Sequence, residues 1–343
     1  MLLSEFDYSL PEELIAQNPL ENRETSRMLV ANRESKTNTD TTFCNFPSYL
    51  RKGDLIVLNN TKVFPARLFG QSETGAKVEL FLIRETAERT WEALARPGRR
   101  LKPGKKISFG SSLEAKVIEK AGDGKILAEF EFNGDFHRII DEIGQTPLPP
   151  YIKRQDGISD TDRNRYQTVY AKERGAIAAP TAGLHFTPEV LSEIESMGVG
   201  ITEITLHVGY GTFEPVRVDD LSQHRVMEER FEISERAAEN LKRAKGEKGR
   251  IIAIGTTTTR ALETCLAKND RFVSGKQVAD LTITPGFNFR AIDGLLTNFH
   301  LPQSSLLVLV STFGGYRFIM SAYRHAVLEQ YRFYSYGDCM FIE

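Results

Sequence analysis

The chain has 343 residues, 41% hydrophobic and 26% charged, which is the make-up of a soluble globular protein with room for two domains. Its net charge of −2 does not advertise nucleic-acid binding, although a basic patch can hide inside a near-neutral total. Its three cysteines, Cys44, Cys265 and Cys339, form no CxxC pair, which argues against a disulfide scaffold or a cysteine zinc site and for a reducing compartment.

The N-terminal "MLLSEFDYSLPEELI" has neither a basic nor an apolar leader region, and the longest aliphatic run, Leu306 to Val310, is far too short to span a bilayer. The expectation is a cytoplasmic protein with no membrane contact. "LPEELIAQNP" predicts a short helix with Pro11 near its start and Pro19 past its end. "SRMLVAN" and "GDLIVLNN" predict strands, the second running into a turn at Asn59 and Asn60. From Thr61 to Pro150 the texture changes to short alternating runs such as "AKVELFLIRE" and "ILAEFEF", which predict a small antiparallel barrel or sandwich. The proline-rich "GQTPLPPYI" closes it.

After Tyr151, strand and helix patterns alternate. "TPEVLSEIESMG" predicts a helix capped by Thr187, with Pro188 at its first position and Gly198 after its end. "GITEITLHVGYG" predicts a strand, "SERAAENLKRAKGEKG" a surface helix, and "RIIAIGTTTTRALETCLAK" a buried strand, a polar loop and a helix. The fold class expected is α/β: a mostly parallel sheet with flanking helices, formed by residues 1–60 and 151–343 and interrupted by an antiparallel β-barrel at 61–150.

Ligands of open α/β sheets bind beyond the carboxyl ends of strands, so the loops there are where binding or catalytic residues are expected. "APTAGLHFTP" carries Thr181, Gly183 and His185; "TLHVGYGTFEPVR" carries His207, Gly209, Gly211, Thr212 and Glu214. "IGTTTTRALE" carries Thr256, Thr257 and Arg260 at a helix start, where free N–H groups favour a polar or anionic ligand; the alternative is that a threonine caps the helix. "GLLTNFHLPQSSLLVLVSTFGG" crowds Asn298, His300, Gln303, Ser304 and Ser305 around Pro302, directly before an apolar run. Each histidine alone fits a hydrogen-bonded structural residue, whereas three in like settings point to a shared cleft. No HExxH, GxGxxG or GxxxxGK[ST] is present, so a metal or a familiar phosphate loop has no support. Two basic stretches remain. "RPGRRLKPGKK" has six cations, Arg99, Arg100 and Lys102 among them, and no acid. "YIKRQDGISDTDRNRYQTVYAKERG" interleaves Lys153, Arg154, Arg163 and Lys172 with Tyr166, a pattern suited to phosphates and unstacked bases or, alternatively, to a solvated linker.

Taken in order, "FDYSLPEELIAQNP", "GDLIVLNNTKVFPARL", "RYQTVYA", "APTAGLHFT", "LHVGYGTFEPV", "GTTTTRALE", "GLLTNFHLPQSSLLVLVSTFGG" and "EQYRFYSYGDCMFI" resemble the S-adenosylmethionine:tRNA ribosyltransferase-isomerases of queuosine biosynthesis nearly end to end. The resemblance implies an α/β domain with an inserted barrel. It implies that S-adenosylmethionine gives up its ribosyl part, without a metal, to the aminomethyl group of a 7-deazaguanine at the wobble position of a tRNA with a GUN anticodon. Adenine and methionine leave and epoxyqueuosine forms; no obligatory protein partner is implied. Under it, His185, His207 and His300 are the candidate proton shuttles. Thr181, Thr212, Thr256, Asn298 and Ser305 become partners of the ribose or adenine, and Asp338 of "SYGDCM" a partner of the methionyl ammonium or a base-positioning group. The alternatives are a methyltransferase using the same donor, a non-catalytic tRNA-binding protein, and a metallohydrolase built on the histidines.

Overall fold

The structure, a computed structural model, describes residues 1–121, 124–154, 157, 159–209, 211 and 216–343. It begins with β1 (Arg27–Asn32), β2 (Thr37–Thr42) and β3 (Leu55–Asn59). β1 and β3 are apolar and buried, as strands covered on both faces must be, whereas the edge strand β2 is polar. The short β4 (Thr61–Val63) leads into β5 (Arg67–Ser72), β6 (Lys77–Ala87), β7 (Thr90–Arg96), β8 (Lys106–Ser108), β9 (Leu113–Lys120) and β10 (Lys125–Phe132), which close an antiparallel barrel. Alternation in "TWEALAR" turns Trp91, Ala93 and Ala95 inward. Helix α1 (Phe136–Ile143), capped by Asp135, adds Phe136, Ile139 and Ile140 to the same core.

The chain returns through α2 (Asp160–Arg165) and β11 (Glu173–Ala176), which pairs parallel with β4. There follow α3 (Pro188–Ser196), β12 (Gly200–Leu206), β13 (Glu229–Ile233), α4 (Glu235–Gly246), β14 (Ile251–Ile254), α5 (Thr256–Asn269), β15 (Gly275–Ala279), β16 (Gly294–Asn298), α6 (Ser305–Gly314), α7 (Tyr316–Leu328) and β17 (Cys339–Ile342). The nine-stranded sheet runs β15-β13-β12-β3-β14-β16-β17-β1-β2. It is mixed, parallel at four of its eight contacts. Its centre, β12-β3-β14-β16, is wholly parallel, so these four strands end on one side.

The helix expected over residues 10–19 is only a single 3-10 turn, Glu12–Leu14. Ile15 instead makes a β-bridge with Phe333, whose N–H donates to Leu14 O at 2.7 Å, so tertiary pairing overrides helix propensity. The apolar run after Pro302 is α6, buried along most of its length, and it meets α7 at 116°. No single helix among the described residues is long and apolar enough to cross a membrane.

Candidate active site

The central parallel strands deliver the polar residues. β3 runs into Thr61, β12 into His207, β14 into Thr256 and β16 into Asn298 and His300. Beyond these ends lie two adjacent cavities, of about 480 and about 700 Å³. Val208, Thr256, Thr257, Ser305 and Leu306 line both.

The smaller cavity gathers Thr181, Thr256, Thr257, Asn298, His300 and Ser305 from three separate loops. The four threonines of "GTTTTR" divide in two. Thr258 Oγ1 and Thr259 Oγ1 donate back to Ile254 O (2.8 Å) and Gly255 O (3.1 Å), while Thr256 and Thr257 line the cavity. Neither caps α5. Gly255 does so at φ +95, in the left-handed region open to glycine, and without a side-chain hydrogen bond the first amides of the helix stay available. The loop after β16 is held on its far side. Gln303, at φ +56, donates its N–H to Phe6 O at 3.0 Å, and Ser304 caps α6 through Leu307 N at 3.2 Å. Its polar face therefore meets the cavity from a rigid support.

The three imidazoles differ. His300 lines the smaller cavity, with Nε2 at 2.8 Å from Thr297 Oγ1; its N–H donates to Tyr323 Oη at 3.2 Å and its carbonyl accepts from Tyr8 Oη at 2.5 Å. Burial pushes its pKa down to about 3. His185 sits behind the cavity wall, Nδ1 at 3.0 Å from Ser26 Oγ and Nε2 at 3.3 Å from Asn298 Oδ1, with its pKa pushed down to about 4 by burial. With both ring nitrogens engaged it is not disposed as a metal ligand. His207 lines the larger cavity, Nδ1 at 2.8 Å from Thr61 Oγ1. Burial lowers its pKa, opposed by Glu173 and Glu232. Gly175 makes its room: a Cβ there would come within 2.7 Å of the ring.

Other expected residues lie elsewhere. Gly183 packs under Tyr170, whose hydroxyl a Cβ would meet at 2.0 Å. Asp338 lines neither cavity: its carboxylate, 1% exposed, accepts from Arg27 N at 2.9 Å and Arg332 N at 2.8 Å, so it clamps backbone. Arg260 borders the larger cavity, but its guanidinium holds Glu229 at 2.9 Å, Ala279 O at 2.5 Å and Met227 O. Gly209 and Gly211 line the larger cavity; Thr212 and Glu214 fall outside the described residues.

Among the basic residues, Arg99, Arg100 and Lys102 are exposed on the barrel. The second stretch is mostly neutralised. Lys153 pairs with Glu12 (2.5 Å), Arg154 bidentately with Asp162 (2.7 and 2.9 Å), Arg163 with Asp141 (3.8 Å) and Lys172 with Glu203 (2.8 Å). Tyr166 is 0% exposed, so it offers no face on which a base could stack; the aromatic pattern that suggested it marks packing.

Sequence reasoning missed Thr61, Gly255, Tyr151 and Tyr334. Gly255 was legible as the glycine between strand and threonines. Nothing local marks Tyr151 or Tyr334, which meet only in the folded chain.

A sequence model of the queuosine biosynthesis protein family matches residues 3–342. The chain is 47% identical over 344 residues to the S-adenosylmethionine:tRNA ribosyltransferase-isomerase of Halothermothrix orenii, and the match covers 100% of both chains. It is 49% identical over 343 residues to that of Carboxydothermus hydrogenoformans, again over 100% of both. The crystal structure of S-adenosylmethionine tRNA ribosyltransferase from Thermotoga maritima aligns with a TM-score of 0.57 at 35% identity, covering 99% of this chain and 100% of that one. With a family match from Leu3 to Ile342 and relatives sharing almost half its residues along their whole length, this chain belongs to the queuosine biosynthesis protein family.

Proposed function

We infer that the chain is an S-adenosylmethionine:tRNA ribosyltransferase-isomerase. It passes the ribosyl part of S-adenosylmethionine to a tRNA nucleoside, with release of adenine and methionine. The acceptor is the aminomethyl group of a 7-deazaguanine at the wobble position of tRNAs with GUN anticodons, and the product is epoxyqueuosine. The observation that carries this reading is the seam at Val208, Thr256, Thr257, Ser305 and Leu306, where two unlike cavities adjoin. Among the described residues no Asp, Glu, Lys or Arg lines the smaller one, and its volume of about 480 Å³ suits a nucleoside-sized ligand. The larger one has walls from both the barrel, through Trp91 and Lys125, and the α/β part, through His207 and Arg230. The donor belongs in the first, the RNA nucleotide in the second, and the ribosyl carbon meets the amine at the seam.

Transfer needs a base for the proton on the carbon next to the sulfonium, which the positive sulfur already acidifies. His207 fits best: it borders the cleft beside Val208, and Glu173 and Glu232 favour its protonated form once it has taken the proton. His300 and His185, with pKa values pushed down to about 3 and about 4, stay uncharged at neutral pH and serve through hydrogen bonds. Thr181, Thr256, Thr257, Asn298 and Ser305 bind the ribose hydroxyls or the adenine edge. Arg99, Arg100 and Lys102 contribute phosphate contacts.

Incubating the protein with S-adenosylmethionine and precursor-bearing tRNA, followed by nucleoside mass analysis, should give epoxyqueuosine and free adenine. S-adenosylhomocysteine in place of adenine would make it a methyltransferase, and tRNA affinity without donor turnover a non-catalytic binding protein. Either result sinks the reading.

A further inference from the structure

A sulfonium enters the smaller cavity carrying a full positive charge, yet among the described residues no carboxylate lines that cavity. Burying a cation without compensation is unfavourable, so some other negative potential must meet it. Two tyrosines of the same wall supply one. Tyr151, from the proline-rich stretch after the barrel, and Tyr334, from the turn before β17, have ring centroids 4.1 Å apart with planes tilted by 45°. Neither hydroxyl is left exposed and free to pair with a ligand. Tyr151 Oη bonds Ser335 Oγ at 2.6 Å, and Tyr334 Oη is buried without a partner. Both residues are half-buried and line the smaller cavity.

The backbone of Tyr334 points the same way. It sits at φ +74, a region that a bulky residue rarely adopts. Three hydrogen bonds hold it there: its N–H donates to Phe299 O at 3.2 Å, and its carbonyl accepts from Asn298 Nδ2 at 2.8 Å and Gly337 N at 3.0 Å. Asn298 also lines the cavity, so the residue that borders the donor fixes the ring beside it. An aromatic face attracts a cation through its quadrupole, most strongly where water is excluded.

We propose that Tyr151 and Tyr334 form an aromatic face that recognises the positive sulfur of the donor and sets the preference for a sulfonium over a neutral thioether. This rests on the donor occupying the smaller cavity, as proposed above. The test is calorimetric binding of S-adenosylmethionine and of S-adenosylhomocysteine to the full chain and to four variants, Y334L, Y151L, Y334F and Y151F. The two ligands differ in the methyl group and charge at sulfur. The native protein should prefer the sulfonium. Each leucine variant should lower that preference by about 3- to 30-fold while retaining thioether affinity, which also reports an intact cavity. Each phenylalanine variant should keep the preference within about twofold, because the ring face remains. Equal weakening of both ligands in the leucine variants, loss of both, or loss of preference in the phenylalanine variants would overturn the proposal in favour of a packing role. If the native chain binds neither ligand, the donor assignment itself fails, and the aromatic face with it.

Discussion

The smaller cavity is lined by hydroxyls, alanines, prolines and tyrosines, whereas Arg84, Lys125, Arg174, Arg230 and Arg260 line the larger one together with Glu85, Glu92, Glu228 and Glu229. The two share a seam but not a chemistry. A neutral wall suits a ligand that brings its own charge, because a fixed cation there would repel a sulfonium and a fixed anion would be desolvated. A charged wall suits a nucleotide, since RNA phosphates need cations. Under the proposed placement of donor and acceptor, the difference teaches that the two sites separate by polarity and that the reaction belongs where they touch.

The largest effect should come from the proposed base, His207, which borders the larger cavity. His207→Ala is expected to lower kcat for adenine release by about 10²- to 10⁴-fold, well beyond its effect on donor KM. Because the base works as neutral imidazole and burial depresses its pKa below 6.5, the native rate should be flat above that pH and fall on the acid side. Near-normal adenine release in His185→Ala, His207→Ala and His300→Ala alike would remove histidine chemistry altogether.

Asn298→Ala attacks the neutral cavity. It deletes the bond to His185 and the one that holds Tyr334 O, and should cost about 1–3 kcal/mol of stability in denaturant titration while weakening donor binding. Loss of stability without loss of donor affinity would mean that Asn298 supports the wall and touches no ligand.

The charged side is tested by salt. Reversing Arg99, Arg100 and Lys102 to glutamate should make the slope of log K against log salt for tRNA binding shallower by about 1 per lost phosphate contact. Lys153→Ala and Lys172→Ala should move it less, because Glu12 and Glu203 already hold those cations. An unchanged slope in the triple reversal would detach the barrel loop from RNA binding.

The last test concerns stability against pH. Above pH 6.5, His185 and His300 are neutral whether the chain is folded or not. Below it the unfolded chain takes up protons that the folded one refuses, so stability falls until about pH 4 for His185 and about pH 3 for His300. His185→Asn and His300→Asn should each flatten the decline in unfolding free energy between pH 6.5 and 4.5 relative to the native chain.

Much of the cavity lining was legible from local pattern. "IIAI" before a glycine and threonines marks a buried strand handing over to a helix, and that is where Thr256 and Thr257 stand. The crowding around Pro302 likewise foretold the wall that carries Asn298, His300 and Ser305. Asp338 misled, because a lone acid in a polar stretch looks the same whether it meets a ligand or two backbone amides. The stretch from Tyr151 misled too, since the acids that neutralise its cations include Glu12, Asp141 and Glu203, from other parts of the chain.

By itself, the order of residues determined the alternation of strand and helix, the barrel between β4 and α1, and the glycine–threonine and asparagine–histidine loops, because periodicity, caps and turns act over a few neighbours. Only the tertiary structure decided which histidine borders which cavity, which cations are paired, and that Tyr151 and Tyr334 share a wall. Burial, ion pairing and ring contact depend on segments far apart in the chain, and no local pattern records who the neighbour will be.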